Sequence, residues 1–205
     1  MRVRVIWFAV FCAVLTAAKP GKIGAQMSMS KMPEPAIGSQ VSPAAALHRE
    51  IGILEMEMVP LAKAMPADKY SFAPSAAIFA GSQKTDFATV RTFGQQVAHV
   101  AEANYYFFMS LSGLKPDVDM KALDAMQKDP NVKKDEAVKM LEMSFAFGHK
   151  AVETITTANA FEVIKAVDGM NTRVTVAGFA VAHGYDHYGQ MVEYLRMNGM
   201  KPPSM

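Results

Sequence analysis

The sequence predicts an all-α fold, a four-helix bundle, on three observations. Four stretches carry apolar residues at three- and four-residue steps, the spacing that gives a helix one buried face. Helix start and stop signals bracket them: Ser-Pro, a Thr-x-x-Gln box, and a closing Gly followed by prolines. No stretch shows the strict alternation that a half-buried sheet requires. Four long amphipathic helices in one domain bury their apolar faces against one another as a bundle.

The first helix is expected over residues 43–65. Leu47, Ile51, Leu54, Met58 and Leu61 form its apolar face, Ser42 caps it, and Pro43 takes the first helical position. Pro60 should kink or shorten it. Residues 66–91, rich in Pro, Ser, Ala and Gly, are long for a structureless loop. They are expected to cross the end of the bundle or line the mouth of a site. The second helix opens on a capping box, Thr92 with Gln95, and runs to about Leu111, where Ser112-Gly113 stops it. A polar connection over 114–133 carries a short helical turn near 120–126. The third helix covers about 134–157, with Val138, Leu141, Phe145, Gly148, Val152 and Ile155 as its buried stripe. After a loop at Asp168-Gly169, the fourth runs over about 174–198. Gly199 closes it, and Pro202 and Pro203 prevent continuation.

The start of the chain reads differently. Arg2 and Arg4 precede VIWFAVFCAVLTAA, an apolar run too short to span a bilayer comfortably, which needs about 20 residues. Residues 1–25 therefore read as a secretory signal peptide, with cleavage after Ala25 preferred over Ala18. An uncleaved anchor is the alternative. The implied location is periplasmic or secreted, with no membrane association after cleavage. Residues 26–42 are polar, with two prolines and no period, and read as a flexible tail. Met27, Met29 and Met32 in it read as linker residues rather than a copper(I) site, since no histidine accompanies them. The domain proper is residues 43–203.

Removing the signal changes two inferences. The only cysteine, Cys12, leaves with it, so the mature chain has no disulfide, thiolate ligand or cysteine nucleophile. Arg2, Arg4, Lys19 and Lys22 leave too, and the formal net charge turns from +2 to −2. Nothing then argues for nucleic-acid binding, which wants a concentrated basic patch.

The chemical signal lies in the histidines. His183 and His187 are four residues apart and share the helix face that also holds Val176, Ala180, Met191 and Tyr194. Two imidazoles one turn apart suit a single metal ion. The zinc-protease pattern HExxH is absent, because Gly184 stands where its glutamate would be. A third ligand must come from another helix, and His48, His99 and His149 are the candidates. Position favours His99, midway along the second helix, while His149 is one residue off its helix's buried stripe.

Two stretches carry a family resemblance. RTFGQQVAH, ending at His99, resembles the opening of the second helix in the DinB-like (DinB/YfiT) family. HGYDHYGQMVEYLRMNGMKPP, from His183 to Pro203, resembles that family's final helix. The resemblance covers about residues 43–203. It implies a metal-binding triad of His99, His183 and His187, and a homodimer. One departure is Tyr188, where family members often carry a basic residue or histidine. That departure bears on the surroundings of the metal and hence on the substrate.

Three imidazoles leave at least one coordination position open for a water, a thiolate or a substrate oxygen. The expected metal is zinc first, with nickel next by resemblance, and iron or manganese behind. Asp186 and Gln190, ahead of Tyr106 and Glu102, are the expected neighbours that orient a ligand or carry a proton. The first functional reading is a metal-dependent enzyme on an unidentified small molecule, either a hydrolase or a thiol-dependent transferase. By resemblance, some relatives work through low-molecular-weight thiols, but such thiols are scarce outside the inner membrane. The second reading is a non-catalytic bundle that binds a metal or small ligand.

Overall fold

The structure, a computed structural model, describes residues 34–75, 84 and 86–204. The expected signal peptide and residues 26–33 of the tail lie outside the described residues. Residues 34–42 approach the domain exposed to solvent, with Glu34 paired to Arg49 at 3.1 Å.

The four expected helices are α1 (Pro43–Ala64), α2 (Phe93–Ser112), α4 (Lys134–Val152) and α5 (Arg173–Met197), with a short α3 (Met120–Lys128) between α2 and α4. α2 is central and packs against α3, α4 and α5, while α1 packs against α4 and α5. The apolar faces expected for α1, α4 and α5 are the buried ones. Ile51, Leu54, Met58 and Leu61 meet Val97, Ala101, Phe145, Val176 and Met191 in one continuous core. No helix among the described residues is long and apolar enough to cross a membrane.

Local chemistry sets the ends. Ser42 Oγ accepts the Ala45 amide at 3.1 Å, with Pro43 behind it. The Thr92–Gln95 box forms in full: Thr92 Oγ1 accepts the Gln95 amide, and Gln95 Oε1 accepts the Thr92 amide at 2.9 Å. The connection after α1 crosses this same helix start. The Phe72 and Tyr70 carbonyls accept the Phe93 and Gly94 amides, each at 2.8 Å, and so satisfy donors that a helix start leaves over. Only glycine allows that approach: a Cβ on Gly94 would stand 2.3 Å from Val132 Cγ1 and 3.2 Å from the Tyr70 carbonyl.

Three expectations need correction. Pro60 does not shorten α1, because it lies on the exposed side, where the unbonded carbonyl one turn earlier faces water. The third long helix stops at Val152 rather than near Thr157. There Thr154 Oγ1 donates to the Ala151 carbonyl, and Asn159 accepts the Thr156 amide and donates to the Thr154 carbonyl. Polar side chains here replace the helical ladder. Finally, the region read as a loop around Asp168-Gly169 is a small antiparallel hairpin, β1 (Val163–Val167) and β2 (Met170–Thr172). Its turn places Asp168 at φ 47° and Gly169 at φ 85°, the left-handed pair that an Asp-Gly hairpin turn needs. The strands are short and largely exposed, so they show no alternation of hydrophobicity.

Candidate metal centre

α5 begins under a Thr172–Thr175 capping box and carries His183 and His187 a turn apart. Their Nε2 atoms are 3.2 Å from each other. From α2, His99 completes the group, its ring centroid 5.2 Å from that of His183 and 4.8 Å from that of His187. One ligand atom from each of the three lies within 4.8 Å of the others. His48 and His149, the other two candidates for third ligand, are not in this group.

Each imidazole has a definable state. His99 Nδ1 is 2.8 Å from Gln127 Oε1, an acceptor only, so Nδ1 carries the proton and Nε2 keeps its lone pair. Gln127 is itself held by donating to Asp124 Oδ1 at 3.2 Å. Burial, reinforced by the charge of His99, pulls the pKa of His183 down to about 4. Burial and then the neighbouring His183 and His99 pull His187 down to about 3. Burial lowers His99 as well, against the opposing hydrogen bond to Gln127. All three are therefore neutral near pH 7, the form that binds metal.

The residues fit a divalent ion. Two nitrogens 3.2 Å apart are placed as neighbouring donors about 2.0–2.1 Å from a shared ion would be. His187 is only 5% exposed, and the Nδ1 atom of His183 is buried with no protein partner among the described residues. Three neutral imidazoles that each bring one nitrogen to a common point are the donor set a divalent ion takes. When bound, such an ion supplies Lewis acidity and lowers the pKa of a water or thiol placed on it.

Gly184, between the two α5 ligands, faces α1. A Cβ there would lie 2.4 Å from Leu54 Cδ2. The position that holds the glutamate in HExxH proteases is thus packed against a neighbouring helix and has no room for a side chain.

His99 and His183 line an open cavity of about 490 Å³, with Glu102, Ala103, Tyr106, Phe107, Asp168 and Phe179. Burial raises the pKa of Glu102, and the charge of Asp124 adds to this. Asp186 and Gln190 do not line this cavity. They form a chain beside the histidines, in which Gln96 Nε2 donates to Gln190 Oε1 at 2.7 Å and Gln190 Nε2 donates to Asp186 Oδ2 at 3.0 Å; Gln190 also hydrogen-bonds His187, and the charge of Asp186 acts on His183, each opposing the fall in the histidine's pKa. Sequence reasoning missed Gln127 and Asp168. The Asp-Gly pair was the available signal for the hairpin turn, whereas nothing local aims Gln127 at His99.

The model of the DinB superfamily matches residues 53–191, a span that contains all three histidines. No curated protein matches the chain.

Proposed function

Since the chain belongs to the DinB superfamily, we propose that it is an exported, metal-dependent enzyme that hydrolyses a small molecule. His99, His183 and His187 hold one divalent ion, zinc first and nickel next. The observation that carries this reading is the convergence of three neutral imidazoles, two of which, His99 and His183, line an open cavity. A structural zinc site is normally closed by four protein ligands, whereas three leave a position for a reacting group.

The cavity residues divide the work. Phe107 and Phe179 give an apolar wall against which a substrate packs, and Tyr106 stands at the solvent side. Glu102, with its raised pKa, is placed to take a proton from an attacking water and return it to a leaving group. Gln127 orients the His99 ring. The Gln96–Gln190–Asp186 chain ties α2 to α5 and reaches His187 through Gln190, which makes Asp186 and Gln190 positioning residues in this reading. Two carboxylates, Glu102 and Asp168, line the cavity. They favour neutral or cationic substrates and disfavour an anionic thiol, which supports hydrolysis over thiol transfer. Export rests on the basic start and the apolar run of residues 5–18.

The test is elemental analysis of the mature protein after loading with Zn, Ni, Fe or Mn, followed by assay on ester, amide and thiol-conjugate panels. One equivalent of metal and hydrolysis, both lost in His187→Ala, are expected. Stoichiometric metal without turnover would leave a ligand-binding bundle. No retained metal would remove the enzyme reading and leave only a bundle that binds a small ligand without an ion.

A further inference from the structure

The cavity beside the histidines changes character from its floor to its mouth. Ala103 and Phe107 are buried and give it an apolar floor on α2. Phe107 meets Phe179 of α5 edge to face, with ring centroids 5.4 Å apart, and its centroid is 5.6 Å from that of His183. Tyr106 is 45% exposed and Asp168 is exposed on the hairpin turn, so these two stand at the mouth. The lining carries two carboxylates, Glu102 and Asp168, and no lysine or arginine.

Asp168 is held in place by its backbone. The hairpin turn keeps it at φ 47°, ahead of Gly169, a left-handed conformation that aspartate and asparagine adopt more readily than most residues. Its side chain makes no hydrogen bond or ion pair among the described residues, while its charge acts on His183. The nearby cation on the chain, Arg173, is instead engaged by Glu162. An aromatic ring and an unpaired carboxylate at the mouth of an apolar cavity suit an organic ammonium. The ring face attracts the cation, and the carboxylate balances its charge. Three neutral histidines holding a divalent ion make the inner end positive, which turns a cationic group towards the mouth.

Resting on the hydrolase reading above, we infer that the substrate is an ester or amide carrying an ammonium group, which Asp168 and Tyr106 hold at the mouth. Phe107 and Phe179 pack the short chain between that group and the scissile carbonyl at the histidines. Hydrolysis adds water across the carbonyl–heteroatom bond, the hydroxyl going to the acyl carbon and the proton, by way of Glu102, to the leaving alcohol or amine.

The test compares acetylcholine with its uncharged isostere, in which a tert-butyl group replaces the trimethylammonium, on the zinc-loaded protein. The cationic ester should show about tenfold the kcat/KM of the neutral one, carried by KM, from one ring contact and one exposed charge pair. Asp168→Asn keeps the turn and loses the charge, and should cut that preference to about threefold; Tyr106→Leu should cut it by a similar factor. Equal kcat/KM for the two esters, or a preference unchanged in Asp168→Asn, would overturn the inference and leave the hydrolase reading standing. Where neither ester turns over, binding decides. Choline and the matching neutral alcohol are titrated into the zinc-loaded protein and followed by NMR. Tighter binding of choline, with shifts at Tyr106 and Phe179 that weaken in Asp168→Asn, would uphold the ammonium site while hydrolysis fails. Equal or undetectable binding of the two alcohols, or shifts elsewhere, would overturn it. The wild-type comparison decides even where a variant does not fold.

Discussion

Gly184→Ala tests how tightly the metal-bearing helix is seated. The added Cβ would be 2.4 Å from Leu54 Cδ2, against an ordinary contact of 3.4–4 Å, so roughly 1 Å of overlap must be relieved. Leu54 cannot simply turn away. It is 1% exposed, and its Cδ1 and Cγ would already sit 3.4 Å from the new atom. Overpacking of this kind costs about 1–3 kcal/mol. Replacing a mid-helix glycine with alanine returns about 0.5–1 kcal/mol. The net is a destabilisation of up to about 2.5 kcal/mol, or up to roughly 10 °C in Tm for a domain of this size. Gly189, on the same helix, is the control: it is exposed, and a Cβ there meets nothing within 4 Å. Gly189→Ala should therefore raise Tm, by about 1–4 °C. Thermal melts of the metal-free proteins, followed by far-UV circular dichroism, measure both. A Gly184→Ala variant that melts at or above wild type, or a Gly189→Ala variant that falls as far, would refute the packing argument.

Other outcomes follow from the same geometry. Gln127→Ala should weaken metal binding by about 10- to 100-fold, because His99 loses the acceptor that fixes its tautomer; unchanged affinity by calorimetry would remove Gln127 from the centre. Thr92→Ala should destabilise by about 1 kcal/mol, read as a lower urea midpoint, since half of the capping box goes while Phe72 and Tyr70 still hold their two amides. For the metal-free protein the folded pKa values of His183 and His187, about 4 and about 3, lie below the unfolded value of about 6.5. The unfolded chain then binds more protons over that interval, so stability is full above about pH 6.5 and declines as pH falls towards 3. Urea midpoints at pH 7.5 and 5.5 should differ in wild type and converge in His183→Ala/His187→Ala; equal wild-type midpoints would contradict the shifts.

Much of the bundle could be read from local pattern. The faces of α1, α4 and α5, the Thr92–Gln95 box and the Gly199 stop depend on residues within a few positions of one another. The pairing of His183 with His187 is of the same kind, being one helical turn of a single element. The Asp-Gly hairpin was within reach of local reasoning too, but exposed strands give no periodic signal. What only the tertiary structure decided is how residues far apart in sequence meet. Gln127, on a short helix between two long ones, reaches His99. Leu54 on α1 excludes a side chain at Gly184. His48 and His149, which position already ranked behind His99 as candidates, turn out to face each other. Each depends on the rotation and axial offset of one helix against another. Those are set by side-chain packing across the whole core, and no residue's immediate neighbours encode them.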